Sequence, residues 1–153
     1  MKIAILIPTI KPGGAEKQAA LLAATLSQEH DVHFISLWGK KNLSMTVKKF
    51  LEDAHVHIHY LSGKRFGKWK EYHRLLKQKH IEVAFNYLTA CDVTGAIVEK
   101  LAGVNTVFNG IRNSRLAPVK TIMEWFTHNF FADYTIYNCQ SGADYFEKHG
   151  FCK

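Results

Sequence analysis

The feature that most constrains what this chain can become is a regular alternation of short apolar runs with longer amphipathic segments. Residues 2–8, 32–37, 56–60, 81–86, 105–110 and 134–138 are runs of strand length, too short for helices. Between them, residues 15–26, 44–53, 68–80, 89–102 and 119–131 read as helices. Ala15, Ala19, Leu22, Ala23 and Leu26 make the apolar stripe of the first, and Met45, Phe50 and Leu51 are the apolar positions of the second. Thr89 with Asp92, and Ser141 with Asp144, have the spacing of a helix-capping pair. Gly103 supplies a left-handed end to its helix, and Gly150 closes the last one. Strands that alternate with helices need right-handed crossovers and a mostly parallel sheet covered on both faces. The expected fold is therefore α/β, a three-layer doubly wound sheet of about six strands formed by one domain over residues 1–153. Ligands of such sheets bind beyond the carboxyl ends of the strands, where the strand order reverses.

Composition narrows the function classes. An apolar share of 47% and a charged share of 22% are those of a packed globular chain. No run approaches the roughly 20 apolar residues of a membrane span. The run from Ile3 to Ile7 meets Pro8 without a small-residue cleavage site, so it reads as a strand rather than a secretion signal. Cys91, Cys139 and Cys152 are odd in number and widely spaced, which suits a reducing, cytoplasmic setting and no disulfide framework. A formal charge of +7 favours anionic neighbours.

The loop Pro8-Thr9-Ile10-Lys11-Pro12-Gly13-Gly14-Ala15-Glu16 joins the first strand to the first helix. Adjacent glycines let a ligand approach the backbone, and the free N–H groups of the helix start suit a phosphate or a sugar hydroxyl. The same loop would also serve as a plain turn. It is not a dinucleotide fingerprint, because GxGxxG is missing and the second strand ends Ile35-Ser36-Leu37-Trp38 without a carboxylate. It is not a Walker loop either: beside Gly63-Lys64, Arg65 stands where the hydroxyl belongs and Ile58 where the first glycine belongs.

A strand followed by Pro-Gly-Gly-Ala-Glu-Lys and an alanine- and leucine-rich helix resembles the start of the family 4 glycosyltransferases, which have the GT-B fold. Three further segments follow in that family's order: residues 83–89 with 100–104, residues 109–113, and residues 136–143, where a serine is common at the position of Cys139. The resemblance implies a Rossmann-like, acceptor-binding amino-terminal domain facing a second domain, absent from this chain, that grips a nucleotide-sugar donor. It implies a retaining hexosyltransferase of surface polysaccharide or glycolipid synthesis, bacterial, with no cofactor beyond the donor substrate. It also implies a sugar or lipid-linked acceptor, and a fragment that is inactive alone. Gly14 takes the family's place beside the transferred sugar and donor phosphates. Where many members have a histidine after the fifth strand this chain has Arg112 and Asn113, so no catalytic residue is assigned.

Gly13, Gly14, Asn86, Thr89, Arg112, Asn113 and Asn138 all lie at or beyond strand ends and are the candidate substrate-binding residues. Arg112 suits a phosphate or carboxylate, the asparagines suit sugar hydroxyls, and Thr89 also suits a helix cap. His55, His57 and His59 alternate on one face of the third strand. Without a cysteine or carboxylate set beside them they read as a solvated face, and no metal is expected. Residues 64–79 are basic with interleaved aromatics. Lys64, Arg65, Lys68, Trp69 and Lys70 could face an anionic membrane, or the aromatics could pack inward with the lysines in water. The rival reading is a non-catalytic basic module for membrane or nucleic acid. No helix-turn-helix, RNA-recognition signature or zinc finger accompanies it, and nucleic acid is not an expected partner.

Overall fold

A computed structural model describes residues 1–64, 66–111 and 117–151. Arg65, Arg112, Asn113 and Cys152, named above, lie outside them. The elements run β1 (Lys2–Ile7), α1 (Gly14–Leu26), β2 (Asp31–Ser36), α2 (Met45–Asp53), β3 (His57–Tyr60) and α3 (Phe66–Lys79). They continue with β4 (Val83–Tyr87), α4 (Thr89–Ala102), β5 (Thr106–Ile111), α5 (Pro118–Phe130), β6 (Tyr134–Tyr137) and α6 (Gln140–Lys148). The six strands form one parallel sheet in the order β3-β2-β1-β4-β5-β6. The chain starts at the centre, winds outward to β3, crosses back through α3 and winds outward again to β6. The fold is the expected Rossmann-like one, and its switch point lies between β1 and β4.

Buried on both faces, β1 is an unbroken apolar run rather than an alternating one. Its odd residues Ile3, Ile5 and Ile7 pack with Ala19, Ala23, Phe34 and Leu51 beneath α1 and α2. Ala4 and Leu6 face the other way, toward Tyr72 and Leu76 of α3 and Ala96 of α4. Burial of side chains this size stabilises by about 1.5–3 kcal/mol each. The expected left-handed end of α4 is present, with Gly103 at φ 87°.

Three local expectations are corrected. Thr89 does not cap α4: Leu88 is the cap, at φ 71°, and the Asp92 carboxylate instead accepts the Gly110 N–H at 3.2 Å. Cys139, not Ser141, is the cap of α6, and Asp144 accepts from the Gln140 amide at 2.8 Å. In α2 only Leu51 is buried, while Met45 and Phe50 are exposed, because the helix lies at the sheet's edge, chiefly against α1 and β3.

Winding order also decides what stays bare. The helices α1 and α2 follow β1 and β2, so they cover one half of their face of the sheet. On the other half Phe85, Phe108 and Tyr134 stack at 4.6 and 5.1 Å, and Ile136 beside them is 47% exposed. On the opposite layer, α5 exposes Val119, Ile122, Met123, Phe126 and Phe130 at helical spacing.

Candidate functional site

The glycine turn sits at the carboxyl end of β1, beside the switch point. Gly13 is the amino-terminal cap of α1 and has no side chain with which to cap it. The two glycines differ in what the fold asks of them. A Cβ on Gly13 would collide with the Glu16 carboxylate, which folds back under the turn and is buried, its Oε1 without a partner. A Cβ on Gly14 would meet nothing within 4 Å. Packing therefore explains Gly13 and leaves Gly14 unexplained.

One helical turn beyond, Gln18 of α1 joins Asn86, Gly110, Tyr137 and Asn138 in lining a pocket of about 250 Å³ at the carboxyl ends of β4, β5 and β6. Of the candidate residues the crevice gathers Asn86 and the exposed Asn138, whereas Gly13 lines a separate apolar hollow with Pro12, Lys17 and Phe50, toward α2. Gln18 was not singled out in the sequence, since nothing local marks it. Thr89 begins α4 beside this edge and is half-buried.

The Asn86 side chain has another engagement. It is 2% exposed, and its amide donates to Glu99 at 2.8 Å and to Asn109 at 2.9 Å. Glu99 also accepts from the Tyr72 hydroxyl at 2.6 Å, and the Asn109 amide donates to the Asp92 carbonyl at 3.0 Å. This network ties α3, α4, β4 and β5 together directly below the crevice, so Asn86 presents a braced strand end rather than a free amide. Burial pushes the Glu99 carboxyl up to about 7, opposed by its bonds to Tyr72 and Asn86. Burial, reinforced by the charge of Glu124, pushes Asp92 well up as well. Asp92, Glu124 and His128 bring ligand atoms within 4.8 Å of one another, the one such buried set among the described residues. His128 already bonds Glu124 at 3.0 Å and Thr135 at 2.7 Å, which locks α5 to β6.

The histidine row is not a purely solvated face. His55 lies before the strand at φ 56°, His57 is exposed, and His59 meets the buried His33 of β2 at 2.9 Å between ring nitrogens. His57 stacks on His33, and the Asp31 carboxylate lies 3.4 and 3.5 Å from the two rings. Register makes this cluster, since His33 pairs with His57 across the sheet. Desolvation holds His33 down to about 4, against the pull of Asp31.

Of the basic segment, Lys64 and Lys70 are exposed and Lys68 is half-buried. Trp69 packs against the core and sits edge-on to Tyr72, so its ring faces inward. No helix among the described residues is long and apolar enough to cross a membrane. A second, wider hollow opens at the carboxyl ends of β2 and β3.

No protein-family model matches the sequence, and no curated protein does. Solved structures do match in fold. HepE of Anabaena in complex with UDP-glucose superposes with a TM-score of 0.80 at 19% identity, over 99% of this chain and 41% of that one. MurG of Acinetobacter baumannii gives 0.67 at 14% identity, over 92% of this chain and 42% of that one. The lipopolysaccharide outer core galactosyltransferase WaaB, in its apo form, gives 0.67 at 13% identity, over 99% of this chain and 43% of that one. The chain thus spans about two fifths of the length of these proteins, and its six-stranded Rossmann-like fold matches the domains of GT-B glycosyltransferases.

Proposed function

We propose that this chain is the amino-terminal, acceptor-side lobe of a nucleotide-sugar-dependent glycosyltransferase that works with a second, donor-gripping lobe. The observation that carries this reading is Gly14: it starts α1 just beyond the carboxyl end of β1, on the switch-point edge, and a Cβ there would meet nothing within 4 Å. A glycine kept where the fold has room for a side chain suits a ligand that lies against the backbone. The helix start behind it offers N–H groups and partial positive charge to donor phosphates, with the Glu16 carboxylate tucked against Gly13. The fold shared with a UDP-glucose complex supports a nucleotide-sugar as that ligand. The half-exposed stack of Phe85, Phe108 and Tyr134, two of which line the crevice, leaves apolar surface that a further segment can cover.

In this reading a hexosyl group passes from the donor to an acceptor hydroxyl with retention, and the protein contributes orientation and charge stabilisation in a closing cleft. Arg112 and Asn113, outside the described residues, and Asn138 belong to the acceptor side, with Asn86 bracing it. The lobe alone does not turn over. The place of action is cytoplasmic, in polysaccharide or glycolipid synthesis, with peripheral membrane contact carried by the apolar stripe of α5 rather than by Trp69.

Amide NMR of the isotope-labelled chain tests the site. Millimolar UDP-glucose is expected to move the signals of Gly14, Ala15 and Asn138 and to leave Gly103 and His57 unmoved. Shifts confined to the basic segment 66–79, or equal shifts with any polyanion, would favour the basic-module reading instead.

A further inference from the structure

The hollow beyond β2 and β3 holds about 820 Å³ and is lined by Trp38, Lys40, Tyr60, Lys64 and Lys68 among others. A second hollow of about 460 Å³ shares Trp38 and Lys68 and adds Phe66, which is 86% exposed. Together they form a trough along the carboxyl edge of the sheet, the edge on which Gly14 also lies.

The trough is braced by its own backbone. The Ser36 hydroxyl donates to the Gly39 carbonyl at 2.7 Å, and Gly39 turns at φ 68° with the Leu61 carbonyl too close for a side chain to be added freely. Glu71 accepts the N–H groups of Ser62 and Gly63, each at 3.0 Å, which pins the loop before α3. Among the described residues no acid lines either hollow. Lys40 stands over the Tyr60 ring at 5.5 Å, and no carboxylate pairs with Lys40, Lys64 or Lys68 among the described residues. Trp38 rises between the two hollows, 47% exposed although apolar and large. An open aromatic ring flanked by three unpaired ammonium groups suits a ligand with flat apolar faces and negative charge.

We infer that this trough binds the end of the acceptor remote from the crevice at β5 and β6, and that the acceptor is an anionic glycan, whose sugar face stacks on Trp38 and whose carboxylate or phosphate meets Lys40, Lys64 and Lys68. The inference rests on the transferase reading for the word acceptor; the binding of an anionic glycan does not.

Calorimetric titration of this chain with a tetragalacturonate, with sugar phosphates and with neutral maltotetraose tests it. The expected result is one saturable site that prefers one of the anionic ligands to the neutral one by roughly tenfold, the scale of a charge-assisted contact. Which anionic arm wins separates carboxylate from phosphate recognition. Lys40→Glu and Lys68→Glu should each weaken that binding and leave maltotetraose unchanged, whereas Trp38→Ala should weaken both. All three side chains reach solvent, and unchanged far-UV spectra confirm that the variants fold. Equal affinity for neutral and anionic glycans, or indifference to the lysine reversals, overturns the inference. So does displacement of the glycan by UDP in strict competition, which would make the trough a donor site. Sugar transfer by a two-lobed protein only to neutral acceptors, unaffected by the reversals, also sinks the inference and leaves the transferase standing. Glycan binding without transfer from any nucleotide-sugar does the reverse.

Discussion

Replacing Glu99 by Gln turns the buried network into a measurable pH dependence. Glu99 is fully buried and its carboxyl titrates at about 7 rather than the usual 4.5. A carboxyl with a raised value in the folded state holds its proton more tightly there than in the unfolded chain. Between pH 4.5 and 7 the folded state therefore binds more protons, and stability falls as pH rises, levelling above that window. The shift corresponds to about 3 kcal/mol across the window, an order-of-magnitude figure. Glutamine keeps the shape and removes the titration. Its oxygen can accept from Asn86, but its amide then faces the Tyr72 hydroxyl, a mismatch of about 1–2 kcal/mol. The variant should thus be less stable than the parent near pH 4.5 and more stable near pH 8. Urea denaturation at both pH values, read by tryptophan fluorescence, measures the crossing. Parallel stabilities for parent and variant from pH 4.5 to 8 would refute the reasoning and mean that Glu99 is ionised throughout.

Other outcomes follow from the same geometry. Gly13→Ala displaces the buried Glu16 carboxylate and should destabilise by about 1 kcal/mol, and Glu16→Ala in the same chain should recover part of that loss in thermal melts. Because His33 is held down to about 4, protonation is resisted in the folded state and stability should fall as pH drops from 6.5 toward 4; His33→Phe should flatten that limb in acid-denaturation curves. Ile122→Asp with Phe126→Asp should lower co-sedimentation with anionic vesicles while leaving the melting temperature within a few degrees, and unchanged sedimentation would remove α5 as the membrane contact.

The alternation of apolar runs carried the fold because each strand is short, buried and bounded by glycine, proline or a helix start. Element ends fell within a residue or two for the same reason. The capping pairs misled because spacing alone does not show competitors: Asp92 answers an N–H from β5, a partner 18 residues away. Asn86 was placed correctly at a strand end, but which face its amide takes depends on Glu99 and Asn109, neither of which is near it in sequence. The trough escaped notice because Trp38, Tyr60 and Lys68 come from three segments that only the pairing of β2 with β3 brings together. His33 was missed likewise, hidden inside an ordinary apolar strand until register set it against His57.

The central claim is that the open side of Gly14 is where the donor's phosphates and the transferred sugar pass. Transfer of labelled hexose from UDP-sugar by the two-lobed protein, compared between the parent and Gly14→Leu, tests it most directly. The account predicts a loss in kcat/KM of at least about a hundredfold from misplacing the reacting groups, with the melting temperature within a few degrees, since the added Cβ meets nothing within 4 Å. Equal transfer by the two proteins, at equal stability, would contradict it.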